Sequence, residues 1–143
     1  MRTLVVVIIG ALSVTLAELL EVAAPWIYSQ SSGELRRNGV IVATGYSGGG
    51  EGKNNSRVEQ KRDVGPIPRG VYRIGLPRSS SRHGPHYMAL TPEPGTQTYG
   101  RSGFLIHADS IERPGEASEG CIILPLKIRQ LISTSRETTL VVQ

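Results

Sequence analysis

The sequence predicts a mostly-β single domain with one short helix, and three observations carry that expectation. The chain has 143 residues, a length at which folding buries roughly 68–70% of the unfolded surface and fills one core rather than two. Its 17 glycines and 9 prolines call for many turns, and many turns mean short strands. From Trp26 onward, short alternating runs are separated by turn-forming pairs, the pattern of a β-meander.

Residues 1–24 stand apart from the domain expected at 25–143. Arg2 is followed by no charge until Glu18 and by the run Leu4-Val5-Val6-Val7-Ile8-Ile9. That stretch is shorter than the ~20 apolar residues of a comfortable membrane span, so no stable span is predicted. It reads either as a secretory signal peptide, cut after Ala17 or Ala24, or as a buried docking strand leading into a short helical segment at 16–23.

Trp26–Gln30 is the first strand of the domain, and Glu34–Arg37 and Val40–Thr44 follow as a hairpin closed by Asn38-Gly39. Asn-Gly suits a two-residue turn because both central positions need positive φ. The Gly-rich stretch 46–55 reads as a polar loop; it lacks the Gly-Lys-Ser/Thr ending of a phosphate-binding loop, so no nucleotide is assigned to it. Val64 to Gly70 is a proline-fixed turn that delivers a strand at 71–76. Residues 78–86 read as an exposed loop, 86–91 as a strand, and 92–98 as another turn. Gly103–His107 and Cys121–Leu124 are apolar strands, one ending and the other beginning on a polar residue. Pro125 sits where a helix can start, and apolar residues at 128, 131 and 132 predict a helix over 126–134. Thr138–Val142 closes the chain as a strand.

Composition excludes several functions. One cysteine forms no intramolecular disulfide and cannot build a Cys-rich zinc module. The net charge of +4 is spread over short groups, and aromatics make up only 5% of residues, so nucleic-acid binding through a basic track with stacked bases is not expected. The charge suits anionic surroundings in general.

The segment that carries chemistry runs from His107 to Cys121. A histidine ending one strand meets a cysteine starting the next if the two strands lie side by side. An imidazole within reach takes the thiol proton and holds the thiolate, which is the nucleophilic form. Gly120, lacking a Cβ, leaves room for a substrate and leaves the N–H groups of residues 120 and 121 to face a developing oxyanion. His83 and His86 look like a metal pair at first glance, but the Gly84-Pro85 turn between them argues for exposed loop residues, with substrate contact by His83 the better reading. Asp109 and Glu119 read as solvated loop charges, and Tyr46 as core or rim.

Ile106-His107 followed by Ser118-Glu119-Gly120-Cys121-Ile122 resembles the His…Ser-x-Gly-Cys-Ile/Val signature of the L,D-transpeptidase (YkuD-like) catalytic domain. Tyr46-Ser47-Gly48, 65–70 and the stretch from Gly100 to Pro125 resemble a compact branch of it, whose members include toxins sent by type VI secretion into the periplasm of rival bacteria. The resemblance spans about residues 26–142. It implies a β-sandwich-like catalytic domain that is periplasmic or secreted, acts on peptidoglycan stem tetrapeptides and needs no cofactor or metal. It makes Cys121 the nucleophile at the L,D bond and His107 the base and then the acid for the departing D-alanine. Ser118 and Gly120 shape the loop, and one of them orients the imidazole through its hydroxyl or carbonyl. The toxin members imply an immunity protein and secretion machinery as partners.

Two positions depart from the family pattern. Ala108 stands where a glycine commonly follows the histidine, a small change. Ile123 stands where an arginine commonly binds substrate carboxylate, so that role is expected to pass to Arg101, Arg113 or Arg69. This favours cleavage or exchange of the terminal D-residue over a housekeeping transpeptidase that forms cross-links; the alternative from another class is a non-catalytic cell-wall-binding domain, against which the retained His107 and Cys121 speak.

Overall fold

The Asn38-Gly39 hairpin forms as its sequence requires. In the computed structural model, which describes residues 24–143, these residues have φ of 51° and 75°, the sign a type I′ turn needs. They join β2 (Glu34–Arg37) to β3 (Val40–Thr44), and β1 (Trp26–Tyr28) pairs antiparallel with β2. The apolar leading segment, expected to be a signal peptide or a docking element, lies outside the described residues.

Among the described residues, ten strands make one continuous sheet, giving the mostly-β, sandwich-like fold that was expected. The remaining strands are β4 (Tyr46–Ser47), β5 (Gly70–Ile74), β6 (Arg78–Ser80), β7 (Gly84–Pro92), β8 (Leu105–His107), β9 (Ile122–Ile123) and β10 (Thr139–Val142). Their order is β3-β2-β1-β10-β5-β7-β8-β9-β4, with β6 also on β7. A simple meander is therefore corrected: β1 runs parallel to β10, and β8 parallel to β9. Parallel neighbours cannot be joined by a tight turn, and here the β8–β9 crossover is the polar loop that begins at Ala108.

Two strands arise where loops were expected. Tyr46-Ser47 is recruited from the Gly-rich stretch by pairing with Ile123 and Ile122, and Arg78–Ser80 by pairing with the start of β7. Neither has a hydrophobic pattern of its own, because the partner strand supplies the order. Strand β7 is the hinge of the sheet, with β5 and β6 along one edge and β8 on the other.

Among the described residues there is one α-helix, α1 (Leu126–Thr134), capped by Pro125 as expected. It lies against β7. The Trp26 indole N–H donates to Ser135 Oγ (3.2 Å), fastening β1 to the helix end. The core gathers Tyr28, Leu35, Ile67, Tyr72, Met88, Ile106, Ile122, Ile132 and Leu140, with Tyr72 edge-on to Phe104 at 5.9 Å.

Leu140 is fully buried on β10, between β1 and β5. Leu140→Ala removes apolar contact at the centre of the sheet and is expected to cost about 2–5 kcal/mol, read as a lowered denaturant midpoint with an unchanged slope.

Candidate active site

Alternation along β8 and β9 sorts their side chains onto two faces. Ile106 and Ile122 are register partners and enter the core. His107 pairs with Ile123, and Cys121 is the bend residue immediately before β9. His107 thus ends β8 two register steps beyond Cys121. Both line one cavity of about 900 Å³, together with Gly120, Arg101 and His83.

His107 is buried (7% exposed). Its Nδ1 lies 2.7 Å from the Ala108 carbonyl. Only an N–H satisfies a carbonyl, so Nδ1 carries the proton and Nε2 the lone pair. The ring packs on the His83 ring with centroids 5.2 Å apart. Burial is the main cause that pushes the imidazole below its ordinary pKa, and nearby His83 and Arg129 add to it, while the Ala108 contact opposes it. His107 is therefore a neutral acceptor at neutral pH.

Cys121 is half-buried and free. Burial raises its pKa foremost; Glu119 adds to the rise, while the Leu105 backbone, Arg101 and Arg82 oppose it. The thiol donates to the Gly103 carbonyl at 3.8 Å rather than to the imidazole. The resting site thus holds a neutral thiol beside a neutral base.

Ser118 and Gly120 act on the loop and leave the imidazole alone. The Ser118 hydroxyl donates to the Cys121 carbonyl (2.5 Å) and accepts from the amides of Gly48 (2.9 Å) and Gly120 (3.1 Å). The Gly120 carbonyl accepts from Ser47 Oγ at 3.0 Å. The expectation that one of them orients His107 is corrected, since Ala108 and His83 do so. The expectation of a Gly120 N–H open to an oxyanion is corrected too, because Ser118 occupies it.

Gly120 is required for a different reason. Its φ is 138°, and a Cβ there would come within 2.5 Å of Arg101 Nη2. Arg101 is 6% exposed. Its Nη1 donates to the carbonyls of Glu59 and Pro66, and its Nη2 to those of Gly65 (2.9 Å) and Glu119 (3.3 Å). Both terminal nitrogens of its guanidinium brace the cysteine loop against the 59–66 turn, which leaves only its Nε–H for the substrate carboxylate it was expected to meet.

The other expected substrate contacts divide. His83 lines the cavity. His86 turns away, its Nε2 2.6 Å from Ser133 Oγ, so the two histidines do not form a pair. Arg69 is ion-paired with the buried Glu59 at 2.7 Å, and neither Arg69 nor Arg113 lines the cavity.

Sequence reasoning missed a latch on the 109–117 loop. Tyr46 Oη donates to Asp109 Oδ1 (2.5 Å) and accepts from the Ala117 amide (2.9 Å). Asp109 also accepts from the amides of Ser110 and Gly115, so it organises the loop rather than standing as a solvated charge. Lys53 Nζ sits 4.2 Å over the Tyr46 ring and donates to Gly115 O. Burial first, then the Asp109 hydrogen bond, pushes the Tyr46 phenol up to about 12, so it remains a donor through the physiological range. Tyr46 and Asp109 are 63 residues apart, and no local signal joins them.

A mostly-β domain with a thiol and a neutral imidazole on one cavity wall has relatives. The Tlde1 domain family matches residues 41–142. The chain belongs to that family, a type VI effector family. Its fold is similar to the solved structure of Bdellovibrio bacteriovorus Bd1075, with a TM-score of 0.56 over 85% of this chain at 14% identity. The chain spans 48% of that structure's length, and at this identity the likeness is one of fold. No curated protein matches the chain.

Gly120→Ala forces a side chain into both the positive φ and the Arg101 guanidinium. It is expected to cost about 1–3 kcal/mol of unfolding free energy, measured by chemical denaturation. If His107 is the base, a lowered pKa keeps its neutral form populated below the ordinary value of about 6.5. The acid limb of the kcat/KM profile is then expected below pH ~6.5, and a limb above that value would remove His107 from the role.

Proposed function

We propose that this chain is a cysteine enzyme that cuts or exchanges the terminal D-alanine of peptidoglycan tetrapeptides at the L,D bond, acting in the periplasm of a target bacterium as an antibacterial effector. The observation that carries the proposal is that His107, ending β8, and Cys121, just before its parallel neighbour β9, line one cavity. Membership of a type VI effector family supports the biological setting. The sequence signature around Ser118-x-Gly120-Cys121 supports the substrate.

In this mechanism a χ1 rotation frees the thiol from Gly103, and His107 Nε2 takes its proton. The sulfur attacks the carbonyl on the L-centre of residue three. The tetrahedral intermediate collapses as the imidazolium protonates the leaving D-alanine amine, leaving a thioester. Water then attacks with His107 as base, releasing the tripeptide acid and restoring the thiol; a D-amino acid in place of water gives exchange. Because both groups rest neutral, proton transfer belongs to the attack step rather than to a preformed ion pair. The buried Ile123 (3% exposed) stands where an arginine is common in the L,D-transpeptidase pattern, which favours cleavage or exchange over cross-linking. An immunity protein and the secretion machinery are the partners this role requires.

Cys121→Ala is expected to abolish D-alanine release from purified tetrapeptide muropeptides while leaving the circular dichroism spectrum and unfolding midpoint close to those of the parent. Release at the parental rate would sink the mechanism. Product masses distinguish loss of the terminal residue from its exchange.

A further inference from the structure

A tetrapeptide ends in a carboxylate, and the arginines expected to meet it are engaged elsewhere or absent from the cavity wall. Arg101 is bonded to four carbonyls, Arg69 is held by Glu59, and Arg113 does not line the cavity. Two other arginines do, Arg62 and Arg82. Arg62 Nη2 already donates to the Gly100 carbonyl at 3.1 Å.

Arg82 is exposed and sits in the turn joining β6 to β7. That turn is fixed against the reacting strand. The His83 amide donates to Ser80 Oγ (3.0 Å), and the Ala108 amide donates to the His83 carbonyl (3.3 Å). The His83 ring lies between Tyr87, at 5.3 Å, and His107, at 5.2 Å. The residue next to Arg82 is therefore packed on the imidazole itself, so Arg82 lines the cavity from a braced backbone. Glu112, Glu116 and Glu119 line the same cavity and repel an entering anion, which steers a carboxylate toward the cation.

We propose that Arg82 is a specificity-determining residue that binds the carboxylate of the leaving D-residue, a role that rests on the function proposed above. A guanidinium fork matches a carboxylate with two parallel hydrogen bonds. An exposed arginine also gives up little hydration to make them. Its charge acts on the Cys121 thiol as well, favouring the thiolate.

The test measures binding and turnover separately. In Cys121→Ala protein, calorimetry compares the stem tetrapeptide as the free acid with the same peptide as its C-terminal amide. The free acid is expected to bind roughly ten- to a hundredfold more tightly. Adding Arg82→Gln is expected to collapse that preference, and Arg82→Lys to keep part of it. A preference that survives Arg82→Gln, no preference at all, or no binding of either peptide would overturn the assignment. If Arg82→Gln instead weakens both peptides equally, Arg82 does not read the terminal carboxylate, and the assignment falls. With Cys121 intact, D-alanine release is followed in parallel. Release with an Arg82-independent preference removes Arg82 alone, whereas an Arg82-dependent preference without release leaves Arg82 standing and sinks the enzymatic reading.

Discussion

A guanidinium keeps its charge at any physiological pH, so a buried one must be met by acceptors on every side it presents. Arg101 obeys that constraint by collecting the carbonyls of Glu59, Gly65, Pro66 and Glu119, and its ion stacks on the Phe104 ring at 5.4 Å. These carbonyls belong to two segments that the sheet does not otherwise join, the turn before β5 and the loop before Cys121. Losing the side chain would leave several buried acceptors unpaired at once. The glycine at 120 follows from this, since any larger residue would displace the ion. The position of the nucleophile is therefore set by an arginine whose terminal nitrogens are all engaged with backbone carbonyls.

Arg129 repeats the device on the other side of the site. It donates to the carbonyls of Pro85, His86 and Leu124, tying the start of β7 and the end of β9 to α1. With Arg101 it brackets the strands that carry His107 and Cys121. Between the two brackets, the Ser118 hydroxyl and the Tyr46–Asp109 latch fix the crossover loop at both ends. A thiol and an imidazole that rest neutral gain nothing from mutual ion pairing, so their proximity has to come from this scaffold. The scaffold is polar and backbone-directed, which fits a domain with few aromatic side chains.

Much of the fold was legible locally. Asn38-Gly39 specifies a turn by its φ requirement, and the helix from Leu126 to Thr134 follows from Pro125 and an apolar stripe. The strands at 26–28, 70–74 and 105–107 are short apolar runs between turn residues. Strands β4 and β6 were not legible, because Tyr46-Ser47 and Arg78–Ser80 have no pattern apart from the partners that order them. The histidine and cysteine were legible as a pair from residue type and order. What surrounds them was not: the same arginine that sequence logic offers to a substrate is, in space, a beam of the loop, and the serine offered to the imidazole is a clasp.

The sequence by itself determined the class of the domain, the turns, the helix and the two residues able to do thiol chemistry, because these depend on local backbone preference and on side-chain chemistry. The tertiary structure decided that β8 and β9 run parallel with His107 and Cys121 lining one cavity, that Ala108 and His83 rather than Ser118 or Gly120 hold the imidazole, and which arginines reach the cavity. Those outcomes depend on contacts between residues far apart in the chain. Burial and hydrogen-bond satisfaction fix them, and both are properties of the packed whole.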